Sequence, residues 1–110
     1  MANSFVNKKV DLTTTSATTL YTVPTATTGV VKSILVSEDS GNADTITLTI
    51  TSGSDVFSLY KTKAIGANGT TELLTHNSIY LTAGEIIKAT AATANRLHVI
   101  VSVREVLYQR

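Results

Sequence analysis

Residues 44–51 alternate strictly between threonine and a branched apolar side chain, reading T-I-T-L-T-I-T after the opening aspartate. In an extended chain successive side chains point to opposite faces, so Ile46, Leu48 and Ile50 share one face and the threonines share the other. The pattern recurs near the C-terminus at four alternate apolar positions, Leu97, Val99, Val101 and Val103. This period of two predicts strands with one face on a core and the other in water.

Composition supports the same fold class. The chain has 110 residues, of which 20 are Thr, 11 are Val and 8 are Ile. These β-branched side chains fit a pleated surface better than a helix. The chain has no cysteine, which excludes disulfides, thiolate metal sites and cysteine nucleophiles. We find no basic segment followed by an apolar run at the start and no apolar stretch near 20 residues, so we expect no signal peptide and no membrane helix.

Turn residues divide the chain into short segments. Ser40-Gly41-Asn42, Gly53-Ser54 and Asn68-Gly69 separate apolar runs at regular intervals, a spacing typical of antiparallel sandwiches and barrels. We predict an all-β, single-domain antiparallel β-sandwich, jelly-roll or immunoglobulin-like, with about eight or nine strands. Residues 1–17 would form an N-terminal arm or edge strand and residues 18–110 the sandwich domain. The predicted strands are Val6–Leu12, Thr19–Val23, Thr28–Ser37, Asp44–Thr51, Asp55–Ala64, Thr70–Leu74, Ser78–Leu81, Glu85–Ala91 and Leu97–Val106.

Several predicted strands carry apolar side chains on both faces. Val30-Val31, Ile34-Leu35-Val36 and Ile86-Ile87 are the clearest cases. Such a strand is either central in its sheet with its outer face partly covered by a loop, or it has a second face that another subunit buries. The residues alone leave both interpretations open.

A search for reactive groups finds no constellation suited to catalysis. The two histidines, His76 and His98, have no metal-ligand spacing, and no serine lies in a nucleophile motif. Glu38, Asp39 and Asp44 form an acidic loop that favours a solvated turn over a cation site. We therefore predict no enzyme activity, no catalytic, metal or cofactor-binding residue and no cofactor. Paired lysines are offset by acids, and a net charge of +1 disfavours partners such as nucleic acid or a membrane.

Four segments together resemble a known family. They are residues 15–24 (TSATTLYTVP), 27–36 (TTGVVKSILV), 81–88 (LTAGEIIK) and 99–106 (VIVSVREV). This combination is similar to small virion structural proteins of tailed bacteriophages. The resemblance implies a head decoration (cement) subunit or a subunit associated with the tail, neck or fibres.

We accordingly predict a capsid decoration protein that binds the outside of the head and bridges coat subunits. Its partners would be the major capsid protein or other virion proteins, and copies would associate as a dimer or trimer. It would be made in the host cytoplasm and reside on the particle surface. The predicted contact residues are Val6, Val10, Leu12, Val106, Leu107 and Tyr108. A tail, neck or fibre-associated subunit is the first alternative, and a carbohydrate-binding or adhesion module using Tyr60 and Tyr80 is the second.

Overall fold

A computed structural model describes residues 2–75 and 77–107, and these residues form strands and turns without a helix. The prediction of an all-β domain is confirmed, and each predicted strand is present with shifted ends. Within the described residues there is therefore no helix that could cross a membrane. The strands are β1 (Ala2–Leu12), β2 (Thr18–Thr22), β3 (Thr27–Glu38), β4 (Asp44–Ser52), β5 (Asp55–Ile65), β6 (Thr70–Glu72), β7 (Ile79–Leu81), β8 (Ile86–Ala91) and β9 (Leu97–Leu107).

The strands form two antiparallel sheets that pack face to face. The first sheet has the order β1-β9-β3, and both β6 and β7 pair with the free edge of β3; the second has the order β2-β8-β4-β5. Taking β6 and β7 as two halves of one interrupted strand gives four strands per sheet. That order is the jelly roll, an eight-stranded double sheet. Of the two sandwich types that the sequence left open, the structure is the jelly roll.

The core is filled by the alternating side chains that the sequence singles out. Ile46, Leu48 and Ile50 of β4 are buried, while the threonines between them are half-buried. Four alternate apolar residues of β9 face them from the first sheet, and all are 2% exposed or less. Burial of each such side chain contributes roughly 1.5–3 kcal/mol. The fold is thus held by one apolar layer between the sheets.

A β-bulge at Lys32 explains why β3 looks apolar on both faces. Val31 pairs with Val103 and Ser33 with Ser102, which leaves Lys32 as an extra residue. Alternation therefore changes phase, and Val31, Ile34 and Val36 all face the core. The shift frees the Ile34 N–H from the ladder, and it donates instead to Oε2 of Glu72 at 2.9 Å. The bulge thus explains why Val31, Ile34 and Val36 share the core face, whereas Val30 and Leu35 lie on the outer face of the sheet.

Strand β1 is an edge strand along its full length. It pairs with β9 from Ala2 opposite Leu107 to Leu12 opposite Leu97 without a register shift. β1 begins four residues earlier than predicted, because β9 extends to Leu107 and pairs there with the residues that precede Val6. The proposed division of the chain at residue 17 stays a prediction.

Candidate interaction surfaces

Six large apolar side chains of the described residues remain more than a third exposed. Such side chains, when clustered, mark surfaces that contact other molecules. They fall into two groups on different sheets and one residue, Leu107, at the end of β9. The six and their exposed fractions are Phe5 (84%), Val56 (62%), Phe57 (57%), Leu59 (37%), Tyr80 (73%) and Leu107 (42%).

The first group lies in one row across the outer face of the five-stranded sheet. Phe5 of β1 is opposite Arg104 of β9, Arg104 is opposite Val30 of β3, and Val30 is opposite Tyr80 of β7. Directly opposed residues share a face, so these four side chains lie on the same side of the sheet. Phe5, Tyr80 and Arg104 are exposed there, whereas Val30 is buried at 7% exposure. The two aromatic residues are three strand spacings apart, roughly 14 Å. We call Phe5, Val30, Tyr80 and Arg104 the outer-face patch.

A shallow hollow adjoins the outer-face patch at the bulge of β3. Its volume is about 340 Å³, and it is lined by Phe5, Val6, Asn7, Lys32, Ser102 and Val103. The Asn7 amide lies 3.5 Å from the Ser102 hydroxyl at one side of this hollow. The Phe5 ring and three polar side chains therefore border a space large enough for a partner's side chain, while the side chains of the two lining valines face the core.

The charge of this region is positive. Arg104 is exposed on the patch and Lys32 is exposed at the hollow. The ion pairs found among the described residues involve only His98, so neither cation has a carboxylate partner there. The neighbouring Glu105 faces inward, where Oε2 accepts a hydrogen bond from the Tyr21 hydroxyl at 2.6 Å. The outer face thus presents Arg104 and Lys32 without ion-pair partners among the residues that the structure describes. Two rows away on the same face lie Lys9 and Glu72, and the Glu72 carboxylate accepts hydrogen bonds from Ser33 and the Ile34 N–H.

The second group, Val56, Phe57 and Leu59, lies on β5, the edge strand of the four-stranded sheet; we call it the edge cluster. Val56 is opposite Thr51 and Phe57 is opposite Ile50, so these two side chains leave the edge on opposite faces of the sheet. The β4–β5 turn consists of Gly53 and Ser54, and Gly53 has a φ of +63°, as this tight hairpin requires. Phe57 pairs with Ile50 and continues the inner row of the sheet past the edge of the core. The sandwich leaves its ring more than half exposed for that reason.

The backbone of β5 is irregular where an incoming strand would pair. Its register shifts twice against β4, and Thr62 adopts a φ of +50°. Lys61 and Lys63 are exposed beside this residue. Bulges and lysines on an edge strand oppose pairing with another strand. A partner would therefore contact β5 through the side chains of the edge cluster and not by adding a hydrogen-bonded strand to its backbone.

Tyr60 and Tyr80 do not form a common stacking surface. Tyr80 is exposed on the five-stranded sheet, whereas Tyr60 belongs to β5 and is half-buried against the core. The Tyr60 hydroxyl donates to the Leu73 carbonyl oxygen at 2.6 Å, and the Lys63 ammonium lies 5.9 Å from the ring centroid. Tyr60 closes one side of a groove of about 290 Å³ between β5 and residues 73–75, 77 and 79. Its main role is therefore packing.

The structure distributes the predicted contact residues over three environments. Leu12 is buried at 1% exposure, and Val6 and Val10 pack against the core, because residues 6, 10 and 12 lie on the inward face of β1. Leu12 therefore belongs to the core of the single chain, and the assignment of these residues as contacts stays a prediction. Val106 is half-buried and Leu107 is exposed at the end of β9. Tyr108 lies outside the described residues.

His98 connects three parts of the fold. Its Nδ1 bonds to Oδ1 of Asp11 on β1, and its Nε2 lies 3.1 Å from Oδ1 of Asp39 in the loop after β3. The hydrogen bond to Asp11 is the main cause that raises the pKa of His98 above its ordinary value, with Asp39 adding to it. This arrangement ties an edge strand to a loop. His76 lies outside the described residues.

The acidic loop does not present its carboxylates to a cation. Glu38 is buried, and its carboxylate accepts hydrogen bonds from Ser40 N–H and Oγ, Gly41 N–H and Asn68 N–H. Burial alone would raise the pKa of Glu38, but these bonds outweigh it and lower the pKa to about 2. Asp44 accepts from the Thr93 N–H at 3.1 Å. No metal-binding cluster is found in the described part of the chain.

Of the exposed aromatic residues, Phe5 and Phe57 were missed by the sequence analysis, and Tyr80 was named only for the adhesion alternative. Phe5 carried a usable signal: it is the aromatic residue at an odd position of β1, where Asn3, Asn7, Lys9 and Asp11 mark the solvent face. An aromatic side chain on a polar face departs from the alternating pattern. No comparable signal was available for Tyr80, because the pairing that brings β7 beside β3 is long-range.

No protein-family model matches this sequence, and no curated protein matches it. Solved structures do resemble it in fold. A chain from the acidic stable capsid of Helicobacter pylori bacteriophage KHP30 has 12% sequence identity and a TM-score of 0.52, over 98% of this chain and 95% of that one. A chain of the cyanophage Pam1 capsid asymmetric unit has 17% identity and a TM-score of 0.49, over 96% of this chain and 85% of that one.

A pentameric capsid protein isolated from metagenomic phage sequences has 20% identity and a TM-score of 0.48, over 94% of this chain. This chain spans 60% of that protein's length. The KHP30 chain shares the fold over nearly the whole of both molecules.

Proposed function

We propose that this chain is a structural protein of a bacteriophage particle that decorates the outer surface of the head. The supporting observation is a jelly roll with two separate exposed apolar surfaces, similar in fold and in length to a chain from the KHP30 capsid. The sequence resemblance to small virion proteins agrees with it. A fold by itself does not define a function, so the proposal depends on these surfaces acting as contacts.

The proposed mechanism is passive bridging. A stiff two-layer sandwich would place one surface on a coat subunit and the other on a neighbouring molecule. A specific contact buries about 800 Å² on each partner, which is a small part of the 6097 Å² of accessible surface. Repetition of a modest contact over a symmetric shell raises the overall avidity without new chemistry. Catalysis and a cofactor have no part in this mechanism.

We assign the edge cluster to contact between copies of the chain. Asp55 lies at the start of β5 and Lys63 near its end, so two antiparallel copies centred on Leu59 would bring opposite charges together. The bulges limit a continuous ladder, so association would rely on side chains and remain reversible. A dimer satisfies this symmetry directly.

The test is the copy number of this chain in purified particles, measured by quantitative mass spectrometry against the major coat protein. A decoration subunit is expected in hundreds of copies, and electron microscopy should place it on the outer head surface. About a dozen copies located at one vertex would instead support the tail or neck alternative. Absence from the particle would overturn the proposal, and binding on a glycan array would then support an adhesion module.

A further inference from the structure

We propose that the outer-face patch, with the hollow beside it, binds an acidic and partly apolar surface of the coat shell. This inference rests on the proposed virion role and names which surface of the chain faces the shell. Phe5, Lys32 and Arg104, on which it depends, were not among the predicted contact residues, and it assigns the edge cluster no part in shell binding.

The first argument is the arrangement of the aromatic side chains. Phe5 and Tyr80 are the two most exposed large apolar residues, at 84% and 73%. They lie on one face, and Val30 and Arg104 fill the row between them. Tyrosine and arginine are among the residue types most enriched at the energetic centres of protein interfaces, and phenylalanine is enriched at interfaces in general. Isolated exposed side chains would not fall into register across four strands.

The second argument is charge. The cations on this face near the patch are Arg104, Lys32 and Lys9, and none of them has an ion-pair partner among the described residues. The carboxylate in the row of Lys9 is Glu72, which accepts hydrogen bonds from the Ser33 hydroxyl and the Ile34 N–H. A second copy stacked on the same face about a two-fold axis would bring Arg104 towards its own counterpart. Like charges opposed across an interface are unfavourable. The patch therefore suits a partner that supplies carboxylates.

The third argument is shape. The hollow of about 340 Å³ has the Phe5 ring on one side and Lys32, Asn7 and Ser102 among its lining residues. An aspartate or glutamate of the partner can enter it, placing its methylene groups on the ring and its carboxylate near the ammonium. The bulge of β3 creates this position, because Lys32 is the residue that leaves the ladder.

The experiment uses the full chain and shells of the same phage assembled without it. Binding is measured by co-sedimentation over a range of salt concentrations. Wild type should bind, and binding should weaken as salt screens the charges. Arg104→Glu and Phe5→Ala should each weaken binding about tenfold or more. Thermal unfolding of each variant checks that the fold is retained.

Two controls make the result specific. Lys88→Glu carries the same charge change as Arg104→Glu but lies on β8 in the other sheet, and it should bind like wild type. Val56→Ser with Phe57→Ser alters the edge cluster and should also leave shell binding unchanged.

Equal binding of Arg104→Glu, Lys88→Glu and wild type would overturn the inference and leave the proposed function standing. Failure of wild type to bind any shell would overturn both. Two other outcomes would also contradict the inference. In the first, Phe5→Ala no longer self-associates but still binds shells. In the second, wild type binds single-stranded DNA, and Phe5→Ala loses DNA binding but still binds shells.

Discussion

Tyr21 joins the two sheets through a hydrogen bond across the core. Its hydroxyl, on β2, donates to Glu105 on β9, and burial together with that carboxylate raises the pKa of Tyr21 well above its ordinary value. We expect Tyr21→Phe to lower the free energy of unfolding by about 1–3 kcal/mol, since a hydrogen bond to a charged group is lost. Urea denaturation measures this. Tyr80→Phe, on the exposed face, is the matched control and should change little; equal effects would contradict the assignment.

Glu38 should make the free energy of unfolding depend on pH in the acidic range. Its pKa is lowered from 4.5 to about 2 in the folded chain, so its contribution is fully present above pH 4.5 and disappears as the pH falls towards 2. We expect the stability advantage of wild type over Glu38→Gln to shrink across that interval. Urea midpoints of the two proteins at several pH values give the difference. An advantage that is constant with pH would show that the carboxylate does not hold these bonds.

His98 should stabilise the fold less as the pH rises, which is the opposite of the pH dependence expected for Glu38. Because its folded-state pKa is raised above 6.5, the stabilisation is fully present below pH 6.5 and is lost as the pH rises through the raised value. Wild type should therefore exceed His98→Gln in stability at pH 5.5 and approach it at high pH. The side chain is 41% exposed, so the effect should be small. A gap that widens with pH would exclude the ion pairs with Asp11 and Asp39.

At the scale of the elements, the bulge in β3 implies that deleting one residue of this strand should have different effects on folding at different positions. Lys32 is the extra residue, so deleting it leaves Val31, Ile34 and Val36 facing the core in a regular strand. We expect that variant to unfold cooperatively, with reduced stability from the altered bend. Deleting Leu35 should abolish the cooperative transition, because it turns Val36 and Glu38 outward. Thermal unfolding followed by circular dichroism distinguishes them, and equal behaviour would contradict the assigned register.

The strands were predictable from the sequence to the extent that local alternation determined them. The existence of β4 and β9 follows from the regular alternation of apolar and polar side chains over eight or more residues. The turn at Gly53 follows from the positive φ that a tight hairpin requires. The bulge in β3 was not visible, because a phase change and a two-sided strand produce the same apolar string. The site residues were harder still: the polar residues at odd positions indicate the solvent face of β1, but only the pairing of the strands shows that Phe5 and Tyr80 fall in one row.

On the scale of the whole molecule, the two exposed surfaces lie on different sheets, and each can be altered separately. We expect Val56→Ser with Phe57→Ser to leave stability within about 0.5 kcal/mol, since both side chains are mostly exposed. The same variant should lose concentration-dependent association of the free chain in sedimentation velocity experiments. Phe5→Ala should keep that association. If wild type sediments as a monomer at all concentrations, the assignment of the edge cluster to copy–copy contact is wrong.

The pairing of β1 and β3 with β9 also has a consequence for biosynthesis. Both strands hydrogen-bond to β9 along most of their length, and β9 is translated after every other strand of the sandwich. The first sheet therefore lacks its middle member until translation of this region is complete. Proteins dominated by such distant pairings fold in milliseconds to seconds, more slowly than helical bundles of similar size. Newly made chains would spend that interval with apolar strands uncovered, when chaperones can bind them.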